Sequence, residues 1–335
     1  MSLNIIVEDR IPYIEDVLTP AGHVSYLPAE QITPEVMRSA DALITRTRTR
    51  CDSALLDGSQ CRFIATATIG TDHIDLPYCA SRGITVANAP GCNAPAVAQY
   101  VMAAILAAHP EGVHGLTVGI IGVGNVGSIV EHWVRSLGMN VLRCDPPRAE
   151  AGHPGPWASM EEIAESADVI TFHTPLTLTG VHPTHHLASP EFLASLRRKP
   201  MIINAARGPV TGTADLLAAH LAGTVGPIVI DCWEGEPDID PGLLAATFIA
   251  TPHIAGYSRE GKIRATAMAV DAFSRHFGVS VNPLPVDIPP APPTSVTADA
   301  ILSTYHILDD DRALRSAPAA FESLRNHYLL RPEPK

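Results

Sequence analysis

Along the chain, short apolar runs alternate with stretches in which apolar residues recur at helical spacing. The runs Asn4 to Glu8, Ala42 to Thr45, Phe63 to Ala67 and Ile84 to Ala87 predict buried strands. Further on the pattern sharpens. Thr117 to Ile121 reads as a strand running into glycine, and Ile129, Val130, Trp133, Val134 and Leu137 then recur with a helical period. Strands are predicted again at Val141 to Cys144, Asp168 to His173, Met201 to Ala205, Val225 to Cys232 and Phe248 to Ala250. Helices are predicted between them over Met160 to Ser166 and from about Thr213 to Ala222. Strand–helix alternation of this kind is the pattern of a doubly wound parallel sheet.

Two longer helical stretches, Ala94 to Ala108 and Arg259 to Phe277, bracket this second region. They read as the two crossings between a split outer domain and a domain inserted into it. The boundaries that follow are residues 1–93 with 257–281 for the outer domain and 94–256 for the inserted one. Six prolines fall between Pro283 and Pro293, so 282–335 reads as a proline-rich linker and a short C-terminal segment.

Composition narrows the class. Lys and Arg number 23 against 35 Asp and Glu, a formal charge of −12, which excludes a broad basic surface for nucleic acid. The hydrophobic content of 46 % supports a folded chain. The six cysteines form no CxxC pair and suggest no zinc site. The first ten residues carry no basic-then-apolar succession, and the longest apolar run, Tyr100 to Ala108, is half a bilayer span. A cytoplasmic protein without a membrane segment is the expectation.

Gly122-Val123-Gly124-Asn125-Val126-Gly127 follows a predicted strand and opens a predicted helix, the context that gives a G-x-G-x-x-G its meaning. Gly122 permits the tight turn, Gly124 lets backbone approach a pyrophosphate, and Gly127 lets helix and strand pack closely. The helix N-terminus, from Asn125 and Val126, then faces the phosphates with free N–H groups. Asp145 stands 18 residues after Gly127, at the end of the next strand. Its carboxylate suits ribose hydroxyls and repels a 2′-phosphate, which favours NAD over NADP, although Arg148 works against that discrimination.

Three more segments sit at the ends of later strands, where open α/β sheets bind ligands. They are Asn204 to Gly208, Asp231 to Pro237 and Thr251 to Gly256. Hydride exchange at a 2-hydroxy acid needs a cation for the carboxylate and the C2 oxygen, which suits Arg207. It needs a group titrating near neutrality, which suits His253, and a carboxylate to orient that imidazole, which suits Glu236. Glu234 competes for the last role from two residues away. In Thr45 to Arg50, arginines alternate with threonines, and a strand there would turn Arg46, Arg48 and Arg50 toward one anionic ligand.

These segments resemble the D-2-hydroxyacid dehydrogenase family. Gly70 to Asp75 looks like that family's substrate-loop motif. Thr66 to His73, Ala89 to Ala94, Cys144 to Arg148, Phe172 to Leu176, Trp233 to Pro237 and Pro252 to Tyr257 are similar to its branch acting on a phosphorylated four-carbon acid. The similarity covers roughly residues 3–280, with a fainter echo near Phe321 to Leu329. It implies an α/β fold, a Rossmann-type doubly wound sheet inserted into a flavodoxin-like substrate domain with a small C-terminal appendage. It also implies an NAD-dependent homodimer acting on a small anionic phosphorylated substrate. Arg207, Glu236 and His253 would be catalytic. Asp145, Thr174, Ala205, Ala206, Asp231 and Gly256 would join the glycine turn around NAD, and Thr47, Thr68 and Tyr257 would contact substrate; Arg46 is a substrate candidate from the arginine row rather than from the resemblance. The chain departs from the resemblance at Ala206, where the group commonly has cysteine before the arginine, and in 282–335, where the resemblance implies a dimerisation segment and the chain has a shorter one than the group's usual domain.

Two other readings stay open. One is a dehydrogenase for glycerate, lactate or phosphoglycerate, and the other is a non-catalytic NAD(H)-sensing protein. His182, His185 and His186 cluster, but no acid or cysteine lies beside them in sequence, so they read as a solvated loop and no metal is expected. Cys92 reads as structural, because no base can be assigned to it.

Overall fold

The computed structural model describes residues 2–335, which divide into two compact units. One unit runs to Asn93 and resumes over Arg259–Ala291; the other comprises Ala94–Ser258 and Pro292–Lys335.

The first unit is built on five parallel strands: β1 (Leu3–Glu8), β2 (Gly22–Leu27), β3 (Ala42–Thr45), β4 (Phe63–Thr66) and β5 (Thr85–Ala87). Their order is β2-β1-β3-β4-β5. β3 and β4 are buried at every position, as parallel strands covered on both faces must be. β2 escapes the sequence pattern because it is an edge strand: five of its six residues are half-buried, the sixth is exposed, they are mixed in polarity, and no apolar run marks it. Phe273 and Val270 of the Arg259–Phe277 helix pack against Phe63, Ile5 and Ile44 in the core of this unit.

The second unit holds six parallel strands: β6 (Thr117–Ile121), β7 (Asn140–Cys144), β8 (Val169–Phe172), β9 (Met201–Asn204), β10 (Ile228–Ile230) and β11 (Ile249–Ala250). The order β11-β10-β9-β8-β6-β7 reverses direction at β6, the switch point at which such sheets open a crevice. Register fixes the rest. Ile121 pairs with both Cys144 and Phe172, Phe172 with Asn204, Asn204 with Ile230, and Ile230 with Ala250. The residues immediately after these six therefore form one rim: Gly122, Asp145, His173, Ala205, Asp231 and Thr251.

The Ala94–Ala108 helix is apolar almost all round, and its first twelve residues are buried. Part of its cover comes from residues 292–335, the larger part of the 282–335 stretch that reads in sequence as a linker and short C-terminal segment. They form three short helices, Ala298–Leu302, Ile307–Ser316 and Phe321–Asn326, and pack into the second unit. Val296, Ile301, Tyr305 and Ile307 share a core with Tyr100, Val101 and Trp133. A segment this short cannot close a core of its own. Among the described residues, no helix is long and apolar enough to cross a membrane.

Candidate active site

The glycine turn follows β6 directly. Gly122 has φ +88, and a Cβ there would lie 2.9 Å from the His173 carbonyl, so glycine is required for both conformation and space. A Cβ on Gly127 would lie 2.1 Å from the Gly122 carbonyl oxygen, which draws the Asn125–Ser136 helix against the turn. Gly124 is different, for its Cβ would enter open space. Gly124 caps the helix without a side-chain hydrogen bond, so the first-turn N–H groups keep no side-chain acceptor.

Asp145 supports this turn from β7. Its Oδ2 accepts from the Val123 N–H at 2.8 Å and its Oδ1 caps the Pro146–Glu150 helix through the Arg148 N–H. The Arg148 guanidinium donates to the Val123 carbonyl at 2.7 Å. Burial drives the neighbouring His173 down to about 3, so it is neutral, and the buried Thr174 hydroxyl has no partner among the described residues. An unpaired hydroxyl, an open glycine and a helix N-terminus on one rim fit the expected dinucleotide.

The three catalytic candidates lie on adjacent rim loops. Asn204, at the end of β9, folds the arginine loop: its amide nitrogen donates to the carbonyls of Arg207 and Gly208 and to the Thr211 hydroxyl, while its oxygen accepts from the Ala206 N–H. Arg207 is half-buried and donates from Nη1 to the Ala206 carbonyl. A Cβ on Gly208 would lie 2.0 Å from the Trp233 carbonyl oxygen, so the arginine and glutamate loops touch backbone to backbone. Glu236 accepts from the Trp233 N–H at 2.7 Å and meets the His253 Nδ1 at 2.8 Å. Glu234 faces elsewhere, toward the His186 ring at 2.7 Å and the Thr213 N–H at 2.9 Å, which decides between the two acids.

Burial opposes a charged imidazole at His253, and the sulfur of Cys232 and the carboxylate of Glu236 outweigh it, so His253 titrates well above the ordinary histidine range. Asp231 is fully buried. Its Oδ1 accepts from the Thr251 hydroxyl and the Ile254 N–H, and its Oδ2 from the Ala255 N–H. Burial pushes its carboxyl up, against His253 and these hydrogen bonds. The carboxylate of Asp231 thus shapes the histidine loop. Ala205 and Ala206 stand between Asn204 and Arg207, and Gly256 and Tyr257 close the histidine loop, all on the same rim.

The remaining substrate candidates belong to the first unit. Thr68 shares a 2.7 Å hydrogen bond with Thr66 and donates to the Gly70 carbonyl, and Thr47 is exposed. The arginine row requires a correction. β3 ends at Thr45, so the alternation that would turn Arg46, Arg48 and Arg50 to one side does not operate. Arg46 donates to the Arg10 carbonyl, and Arg50 is exposed and pairs with Asp52. Glu8, which the sequence left unassigned, shapes this loop by accepting from the Thr45 and Thr49 hydroxyls and the Arg46 N–H.

The reason for dismissing a histidine cluster also fails. The fold brings Glu234 to His185 and His186, with ligating atoms within 4.8 Å of one another. His182 instead meets Glu150 at 2.9 Å.

Residues 98–255 match the D-isomer specific 2-hydroxyacid dehydrogenase, NAD binding domain. The erythronate-4-phosphate dehydrogenase of Bacteroides thetaiotaomicron is 46 % identical, over 99 % of this chain and 98 % of its own. That of Salmonella arizonae is 40 % identical, over 99 % and 92 %. In fold, the chain resembles the NAD-bound 3-phosphoglycerate dehydrogenase of Entamoeba histolytica, with a TM-score of 0.71 and 23 % identity over 83 % of this chain and 96 % of that one. The D-lactate dehydrogenase of Aquifex aeolicus gives 0.68 and 23 %, over 82 % and 95 %.

Proposed function

The chain belongs to the erythronate-4-phosphate dehydrogenases of the D-isomer specific 2-hydroxyacid dehydrogenase family, and on that premise we propose that it oxidises 4-phospho-D-erythronate to 3-hydroxy-2-oxo-4-phosphobutanoate with NAD, a step toward pyridoxal 5′-phosphate. The observation that carries the chemistry is the His253 Nδ1 to Glu236 contact at 2.8 Å beside the Arg207 loop.

NAD supplies the hydride acceptor when bound. This chain supplies the rest. Glu236 holds the His253 ring through Nδ1, which leaves Nε2 to take the proton of the C2 hydroxyl. The planar fork of Arg207 grips the substrate carboxylate and stabilises charge on the C2 oxygen. Gly124 and the first turn of the Asn125–Ser136 helix would hold the pyrophosphate, Asp145 the adenosine ribose, and Thr174, Ala205, Ala206, Asp231 and Gly256 the nicotinamide end. Substrate contacts fall to Tyr257, Thr47, Thr68 and Arg46, the last as a cation for the phosphate. Six buried, unbridged cysteines suit a reducing cytoplasm, and the working state is taken as a homodimer, which light scattering measures directly.

The test is a comparison of NAD reduction rates with 4-phosphoerythronate, glycerate and lactate at matched concentration. The phosphorylated acid is expected to lead in kcat/KM by at least 100-fold. Equal rates for the three acids, or tight NADH binding with no turnover of any, would refute the proposal.

A further inference from the structure

We infer that Arg331, the fifth residue from the C-terminus, is a positioning residue that holds the histidine loop in its reactive shape. The inference rests on the reading of His253 as the proton-transfer group. Pro252 to Tyr257 form no helix or strand, and His253 sits at φ 57, a left-handed conformation that a histidine keeps only where its surroundings impose it. Something must therefore bind both sides of the loop's peptide groups.

Asp231 binds the N–H side, at Ile254 and Ala255. Arg331 binds the carbonyl side. Its Nη1 donates to the Ile254 carbonyl at 3.1 Å and the Tyr257 carbonyl at 3.2 Å, and its Nη2 donates to the Ala255 carbonyl. The same guanidinium anchors to the Ala94–Ala108 helix, through the Ala96 carbonyl at 3.1 Å and the Gln99 side chain at 3.0 Å. It is 6 % exposed and lies over the Tyr305 ring, 4.0 Å from its centroid. Its counter-charge is relayed: Tyr328 shares a 3.2 Å hydrogen bond with Nη1, and the Tyr328 and Tyr305 hydroxyls both donate to Asp310. Ser258, which ends the loop, bridges to Arg331 in strand fashion and donates its hydroxyl to Glu333 at 2.6 Å.

A flat five-donor cation between four carbonyls is a task for arginine; the ammonium of lysine has three donors and no plane. The loop that carries His253 is thus held between a buried carboxylate and a buried guanidinium, and the guanidinium comes from the end of the chain. The groups that face His253 and set its titration are Glu236, Cys232 and Asp231. Releasing the loop lets the imidazole drift from Glu236.

The test uses full-length Arg331→Lys and Arg331→Met. Imidazole titration of His253 is followed by NMR without substrate, its resonance assigned by loss in His253→Gln, alongside kcat, KM and NAD affinity. In Arg331→Lys, kcat is expected to fall at least tenfold with NAD affinity within twofold, and the His253 midpoint is expected to drop toward 6.5. Low millimolar guanidinium is expected to restore part of the activity of Arg331→Met. Should Arg331→Met not fold, Arg331→Lys carries the decision. A folded variant with wild-type kcat and His253 midpoint would assign Arg331 a purely structural role. The titration needs no turnover, so a wild-type chain that failed to oxidise the phosphorylated acid would sink the functional reading and leave this one to be decided on its own.

Discussion

Glu234 and Glu236 stand two residues apart, yet one meets His186 and the other His253. Sequence narrows the orienting acid to these two, and loop geometry separates them. The dyad also sets a pH dependence. With His253 as the proposed proton acceptor, oxidation requires its neutral imidazole, so kcat/KM is expected to rise with pH through the His253 pKa, which Cys232 and Glu236 hold above the ordinary range against burial. Glu236→Gln removes a raising influence. The rising limb is expected to move to lower pH, and the plateau to fall by about 10²-fold as the ring loses its orientation. His253→Ala is expected to abolish most turnover with NAD affinity near normal. A limb that stays in place in Glu236→Gln, measured as kcat/KM from pH 5 to 10, removes Glu236 from its role.

Two glycines separate fold from function at the level of elements. A Cβ on Gly208 meets the Trp233 carbonyl at 2.0 Å and backbone on either side of it, which no side-chain rotation relieves. Gly208→Ala is expected to cost about 1–3 kcal/mol in urea unfolding and to lower kcat, because it parts the Arg207 and Glu236 loops. A Cβ on Gly124 meets nothing. Gly124→Ala is expected to keep stability within about 0.5 kcal/mol while weakening NAD binding at least tenfold, because the added carbon occupies the phosphate approach. Unchanged NAD affinity by calorimetry would place the pyrophosphate elsewhere. Elements of this kind were legible: Thr117–Ile121 and Ala94–Ala108 match the apolar pattern end to end. The half-polar edge strand Gly22–Leu27 was not, because periodicity reports burial and this strand is only partly buried. The arginine row misled for a related reason. Alternation carries direction only in a strand, and the strand stops at Thr45.

For the molecule as a whole, the surplus of acids over bases says little about the site, because each cation that matters is local. Arg207 and Arg331 are each placed by backbone carbonyls, and Asp231, rather than a long-range field, faces Arg331 across one loop. Sequence located Arg207 by motif. It could not locate Arg331, whose backbone-carbonyl partners lie more than seventy residues away along the chain. The C-terminal segment was hidden for the same reason. Its prolines suggested a linker, yet Val296, Ile301, Tyr305 and Ile307 complete the core around the Ala94–Ala108 helix. Four such side chains, at about 1.5–3 kcal/mol each, amount to about 6–12 kcal/mol, comparable with the whole stability of a domain. A chain ending at residue 291 is therefore expected to lose cooperative thermal unfolding and solubility. It is not expected to persist as a folded enzyme that has lost only a subunit contact. A soluble truncated chain with a sharp melting transition and retained NAD binding would show that the segment is an appendage after all. Calorimetry of the two lengths side by side decides the matter.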